Sequence, residues 1–442
     1  MSGGADSRAA AARCIAAVME GETLERALAE HSGLCAERDQ PLLREFCYGT
    51  LRAFPRLEAL LNQLLSRPLR KRDLELKALA LVGLYQLDGM RTPDHAAVSA
   101  TVDATARIHR KNARGLINAV LRRYLRESDA LNAALPDAAA AALPQWLWDA
   151  LGKEWPVERE AIAEACRSRP PLTLRVNRQR GSREAYAQRL VAQGISATAG
   201  RLSEDALTLA TGLDVDAIPG FREGDVSVQD EAAQLAAILL APQPGERILD
   251  ACAAPGGKSG HILELEPQAK LLACDISEER LQRISENARR LGLAIDTLCA
   301  DLTTPPPTLT ASGPFDAILL DVPCSATGVM RRHPDIKLLR RESDIAGFAS
   351  QQRALLESCW TQLKPGGRLL YVTCSVLQAE NSGVVEDFLA AHDDAQHCPI
   401  TVPTGHPCTV GMQVLPAGDA SDGLYFAQLS RAGAAPGQGP QQ

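Results

Sequence analysis

The sequence predicts a multidomain chain made of an all-α domain, a small α+β module and a doubly wound α/β domain. Three patterns predict it. Up to about residue 127, apolar residues recur at three- and four-residue spacing, as the buried faces of successive helices require. Between residues 170 and 223, short alternating segments bracket one helix. From residue 224, near-continuous apolar strands alternate with helices, the pattern of a parallel sheet covered on both faces. A chain of 442 residues also exceeds what one core organises.

In chain order, helices are expected over Ala10–Met19, Leu24–Ala29, Leu42–Leu51, Leu57–Leu65, Leu74–Leu87 and Gly115–Leu125. Gly21, Pro41, Pro55, Pro68 and Pro93 break the pattern between them. Residues 1–127 form this helical domain, in which His95 reads as a capping or packed residue. Residues 128–169 read as a helical linker, Ala-rich to Ala142 and then opening a helix at Pro144. The module at 170–223 reads β-α-β-β: strand Leu172–Val176, helix Arg183–Gln193, strands Ile195–Ala199 and Ala206–Ala210. The α/β domain, 224–430, opens with a helix to Leu240, and its strands end at Asp250, Asp275, Asp301, Asp321 and Thr373. A closing pair, Gln413–Leu415 and Leu424–Leu429, completes the sheet. Residues 431–442 bury too little to fold and are expected to be a disordered tail.

Composition narrows the classes. No run of 18 uncharged apolar residues exists and the N-terminus lacks an apolar signal core, so a cytoplasmic protein without a membrane partner is expected. Twelve scattered cysteines without a C-x-x-C pair predict no metal site and no disulfide framework. A net charge of −7 excludes a uniformly basic nucleic-acid binder. Locally the balance reverses: no acid occurs from Ala104 to Arg126, while Arg107, Arg110, Lys111, Arg114, Arg122, Arg123 and Arg126 crowd together. Such a stretch is either a phosphate-seeking surface or a solvated helix face.

The segment Ile248-Leu-Asp-Ala-Cys252-Ala-Ala-Pro-Gly-Gly257-Lys258 is a strand, a tight turn and a helix start. The G-x-G-x-x-G dinucleotide fingerprint is absent. A phosphate-binding P-loop fits only at Gly257-Lys258-Ser259, because Cys252 holds the first glycine position. A ligand-free turn and an S-adenosylmethionine (SAM) pocket both remain. Acids at the ends of four parallel strands, Asp250, Asp275, Asp301 and Asp321, project to one edge and favour a nucleoside-bearing cofactor. Two cysteines close neighbouring strands at that edge, Cys324 in Asp321-Val-Pro-Cys324 and Cys374 in Thr373-Cys374-Ser375. Thiols beside a methyl donor suit cytosine, whose carbon 5 is a poor nucleophile until a thiolate adds to carbon 6.

These motifs, Asp250-Ala-Cys-Ala-Ala-Pro-Gly-Gly-Lys258, Asp321-Val-Pro-Cys-Ser-Ala-Thr-Gly-Val329, Arg331-Arg-His-Pro-Asp335 and Val372-Thr-Cys-Ser-Val376, are similar to those of the RNA 5-methylcytosine methyltransferases. Ala78–Leu87, Pro93–Val98 and Gly115–Arg122 resemble the NusB-type RNA-binding domain, and 170–223 resembles the RNA-recognition-like insert that precedes the catalytic domain in that family. From about Ala10 to Leu429 the chain resembles the Sun/Fmu type, which methylates cytosine in bacterial small-subunit (16S) ribosomal RNA. The resemblance implies a NusB-like domain, an RNA-recognition-like module and a Rossmann-like SAM methyltransferase domain. It implies Cys374 as nucleophile and Cys324 in proton removal or adduct release, with Asp321 and Lys258 in the catalytic group. Cys252, Ala253, Ala254, Pro255, Gly256, Gly257 and Lys258, with Asp275, Asp301 and Asp321, would hold SAM. Arg107, Arg110, Lys111, Arg114, Arg331, Arg332 and His333 would meet RNA carrying a flipped-out cytosine, and no obligate protein partner is implied. Ser259-Gly260 departs from the Thr-Thr of many relatives. A tRNA cytosine methyltransferase and a non-catalytic RNA-binding factor are the competing readings; both cysteines beside an intact turn speak against the second.

Overall fold

A computed structural model describes residues 3–418 and 421–433. The chain divides into two compact units, Met1–Arg169 with Met330–Glu342, and Pro170–Val329 with Ser343–Gln442.

The first unit is helical. Its helices Gly3–Met19, Leu24–His31, Gln40–Arg52, Phe54–Leu64 and Leu74–Gly89 enclose one core that includes Ile15, Leu43, Phe46, Leu57 and Leu81. Helix Leu74–Gly89 is apolar nearly all round and is the buried centre of that core. Helix Asp94–Arg107 was not expected; its inward face is small residues and hydroxyls, Ala97, Val98, Thr101, Ala104 and Thr105, which hide the helical period. His95 stands exposed in its first turn, neither packed nor capping. The last long helix, Arg114–Ala133, runs past the break expected near residue 127. The segment Met330–Glu342 also belongs here: Lys337 is buried, its ammonium donating to the carbonyls of Arg52 and Ala142 at 2.7 and 3.0 Å, and Asp335 accepts the Leu24 amide at 3.2 Å.

The second unit holds two sheets. The smaller has β1 (Leu172–Val176), β2 (Ala197–Ala199), β3 (Ala206–Leu209) and β4 (Val226–Val228) in the order β2-β3-β1-β4, all antiparallel, with helix Arg183–Ala192 against it. Its fourth strand corrects the β-α-β-β expectation: Val226–Val228 pairs with β1.

The larger sheet has β5 (Arg247–Ala251), β6 (Lys270–Asp275), β7 (Asp296–Cys299), β8 (Phe315–Asp321), β9 (Leu363–Thr373), β10 (Ala395–Cys398), β11 (His406–Pro407), β12 (Met412–Val414) and β13 (Leu424–Arg431). The order is β11-β12-β13-β9-β8-β5-β6-β7, with β10 also paired to β13. β5 to β9 are mutually parallel, and β13 lies antiparallel on β9, as the expected closing pair requires. Two apolar clusters cover its two faces, one around Leu249, Ile318 and Tyr371, the other around Ile248, Leu319 and Val372, so alternate residues of each strand face opposite cores. Arg431, expected in the disordered tail, ends β13 and pairs with Asp394 at 2.9 Å; residues 434–442 of that expectation lie outside the described residues.

Candidate active site

Strand order reverses between β5 and β8, and ligands of such sheets sit beyond the strands' carboxyl ends at that point. A cavity of about 300 Å³ lies there, walled by Cys252 and Ala254 after β5, Asp275 after β6, Asp301 after β7, Asp321 and Cys324 after β8, and Cys374 after β9. The turn after β5 is tight. Cys252 takes a left-handed φ of 61° and Gly256 one of 91°. A Cβ on Gly256 would come within 3.2 Å of the Ile284 Cα, so only glycine lets this turn close on its neighbour helix. Ala253 packs into the core, Pro255 is exposed, and neither they nor Gly256 and Gly257 form the cavity wall.

The acids divide. Asp275 accepts the amides of Ala254 and Ser277 at 3.2 and 3.1 Å, so it braces the turn while facing the cavity. Asp301 is exposed at the mouth, and the Thr303 hydroxyl and amide hold its carboxyl below the usual range. Asp250 is not at the cavity: it is fully buried, bonded to the Ser259 hydroxyl at 2.5 Å, and burial pushes it up to about 7. The four-acid row is thus three, because the β5 carboxylate turns into the core.

Lys258, in the first turn of helix Gly257–Leu265, reaches Asp321 at 2.5 Å. Burial alone would lower its ammonium, but Asp321 and then Cys374 leave it raised, so it stays charged through neutral pH. The thiols of Cys324 and Cys374 stand 3.3 Å apart. Gly328 permits that approach: its amide donates to the Cys374 carbonyl at 2.8 Å, and a Cβ there would sit 2.2 Å from the Gly423 carbonyl oxygen. The hydrogen bond to Cys374, burial and the nearby charges push the Cys324 thiol well up. Cys252 is also pushed well up, by burial, which leaves it an inert thiol.

Sequence reasoning missed other groups. Arg280 lines the cavity and ties Asp275 (3.5 Å) to the Ala254 carbonyl (2.9 Å); its place in the first turn of the helix after β6 was the available signal. Ile276 lines the cavity yet is 66% exposed, an apolar wall left open beside two carboxylates. Glu380, buried behind both cysteines, gave no signal.

The basic residues are less uniform than the sequence implied. Arg107, Arg110, Lys111 and Arg114 are exposed, but Asp6, Asp73 and Asp103 face three of them at 2.9, 3.7 and 3.1 Å. Asp103 just before the stretch, and Asp6 and Asp73 far from it in sequence, therefore compensate a stretch that holds no acid. Arg331 is 1% exposed, its side chain enclosed by protein, which corrects its assignment to the RNA backbone. Arg332 is half-buried and His333 exposed. Among the described residues, no group of three His, Cys, Asp or Glu side chains could hold a metal, and no helix is long and apolar enough to cross a membrane.

Comparison with known proteins gives the family of the chain. A family model described as 16S rRNA methyltransferase RsmB/F matches residues 237–430, an RsmF/B-like ferredoxin-like domain matches 143–216, and the NusB family matches 5–126. The chain is similar to the ribosomal RNA small subunit methyltransferase B of Vibrio cholerae, 47% identical over 427 residues and covering 96% of this chain and 97% of that protein. The protein of the same name from Erwinia tasmaniensis is 45% identical, covering 94% of this chain and 98% of its own length. The crystal structure of PH0851 has the same fold, with a TM-score of 0.81 at 23% identity, over 97% of this chain and 99% of that one.

Proposed function

Because the chain belongs to the 16S rRNA methyltransferase RsmB/F family, we propose that it moves a methyl group from SAM to carbon 5 of a cytosine in 16S rRNA through a covalent Cys374 adduct. The observation that carries this is the pair of thiols 3.3 Å apart on one cavity wall, beside the Lys258–Asp321 pair. Cys252 and Ala254 of the turn after β5, with Asp275, Asp301 and Asp321, would hold the cofactor; the open Ile276 wall suits a flat base and the carboxylates suit hydroxyl and amine groups. Bound there, SAM supplies an electrophilic methyl group.

The two cysteines take different parts. Cys324 is 8% exposed and holds its proton tightly against Cys374, which leaves the Cys374 sulfur as the one to attack. Its sulfur gives up its proton to solvent and adds to carbon 6, while N3 takes up a proton from solvent that the Asp321–Lys258 pair holds there, so carbon 5 gains the electron pair it needs. Once Cys374 is bonded to carbon it no longer draws the Cys324 proton, and the largest influence raising Cys324 is gone. Cys324 can then lose that proton to solvent, take the one on carbon 5, and let the S–C6 bond break. The base must be turned out of its stack to reach this cavity, at a cost of a few kcal/mol. Arg107, Arg110, Lys111, Arg114, Arg332 and His333 are the proposed RNA contacts.

The test is a denaturing gel with labelled rRNA, together with tritium release from C5-labelled cytosine. Cys374→Ala should abolish both transfer and adduct, whereas Cys324→Ala should leave an adduct that survives denaturation. The reverse pattern would exchange the two roles, and no adduct in either variant would end the covalent reading.

A further inference from the structure

Glu380 lies behind the cysteine pair and does not reach the cavity. It is fully buried, and four donors converge on its carboxylate. Oε1 accepts the Ser325 amide at 2.7 Å and the Gln352 side-chain amide at 3.2 Å. Oε2 accepts the hydroxyls of Ser325 and Ser375 at 2.5 and 2.7 Å. Ser325 directly follows Cys324 and Ser375 directly follows Cys374. One carboxylate therefore grips both thiol-bearing loops one residue beyond each sulfur. Gln352 extends the grip, since its amide also donates to the Pro323 carbonyl at 3.0 Å. Thr327 closes the set, its hydroxyl 3.2 Å from that of Ser325 and 3.1 Å from that of Ser375.

Burying a carboxylate is costly unless its oxygens are satisfied by donors. Here each oxygen has two, so the charge is tolerated and the donors are fixed in return. A bare apolar filling would occupy the same space but would let the two loops move independently. We infer that Glu380 is a positioning residue for the transfer reaction, setting the spacing of Cys324 and Cys374 by bonding the residue after each. This rests on the covalent reading above, in which that spacing decides how a proton passes between the thiols. Displacements near 1 Å at a reacting group can cost about a hundredfold in rate.

The experiment uses the full chain with Glu380→Gln, which keeps the size and removes two of the four acceptor directions. Turnover on rRNA should fall about thirtyfold or more, with KM for RNA and the Kd for SAM within about twofold of wild type. A second readout needs no methyl transfer: diamide should oxidise Cys324 and Cys374 to a disulfide, two electrons and two protons passing to the reagent, with the product located by peptide mass mapping. That rate should fall about tenfold in Glu380→Gln if the thiols lose their spacing. Turnover within about threefold of wild type together with an unchanged disulfide rate would overturn the inference, as would a loss confined to KM. Should Glu380→Gln fail to fold, Ser375→Ala removes one donor and predicts the same turnover-only loss at about three- to tenfold; unchanged turnover there overturns it as well. A wild-type chain that forms the disulfide rapidly but never an RNA adduct would sink the covalent reading and leave the spacing measurement standing.

Discussion

One helix, Gly257–Leu265, carries a charge at each end against its own dipole, and the two ends have opposite fates. At its last turn Glu264 is 1% exposed and takes a two-pronged grip from Arg175 at 2.9 and 2.8 Å; Arg175 also donates to the Gly257 carbonyl at 2.8 Å. Every direction is filled by protein, and the pair binds β1 of the small sheet to the helix that follows β5. At the first turn Lys258 meets Asp321 with side chains 18% and 28% exposed, and Asp321 faces the cavity. A pair closed on all sides can only hold structure. A pair with an open side can hold structure and meet a substrate.

Breaking the open pair should give the largest effect on chemistry. Asp321→Asn and Lys258→Met should each lower turnover about a thousandfold, equivalent to about 4 kcal/mol, while the unfolding midpoint barely moves. Single-turnover kinetics beside thermal melts checks this; a large melt shift with modest kinetic loss would make the open pair structural like the other. Breaking the closed pair should do the opposite. Glu264→Gln leaves the Arg175 guanidinium buried without its carboxylate, a destabilisation of about 3–5 kcal/mol by urea unfolding, with turnover of the folded fraction nearly retained.

Asp250 sharpens the contrast, as a buried acid held by a hydroxyl rather than by an ion pair among the described residues. Its folded pKa, about 7, lies above the ordinary value, so its contribution to stability is full below pH 4 and is lost as pH rises through about 7. Wild type should lose up to a few kcal/mol of stability between pH 5 and 8, and Asp250→Asn, which keeps an acceptor for the Ser259 hydroxyl, should flatten that fall, as melting curves across the range would show. Parallel melting curves for the two proteins would show that Asp250 does not titrate in that window.

Much of this site was legible because a parallel sheet aligns its strand ends: apolar runs closed by Asp275, Asp321, Cys324 and Cys374 point to one edge whatever the loops do. What stayed hidden depends on partners far along the chain. Glu380 looks like a surface acid until two serines fold onto it. Val226–Val228 is too short to announce itself as a strand and shows as one only beside β1. Arg331 carries the charge of an RNA contact, but its burial is decided by helices some 280 residues earlier; the Arg331 carbonyl accepts the Arg52 guanidinium across 279 residues of sequence. The acid-free stretch 104–126 misled in the same way, since Asp6 and Asp73 lie outside any local window.

That last case gives the smallest and most discriminating prediction. Arg107 and Arg114 already face carboxylates, whereas Arg122 donates to the Asn118 side chain and Arg126 to the Arg122 carbonyl, with no carboxylate partner among the described residues. Exposed ion pairs are worth only about 0–1 kcal/mol, so the acids do not forbid RNA contact by Arg107 and Arg114, but a phosphate must displace them and gains correspondingly less. If open charges meet substrate and satisfied ones hold structure, Arg122→Ala with Arg126→Ala should lower the slope of log affinity against log salt by about one unit per lost phosphate contact. Arg107→Ala with Arg114→Ala should change it by less than half as much. Equal changes in the two double variants would mean that on the helical unit exposure alone, and not the state of the partner, selects the residues that touch RNA.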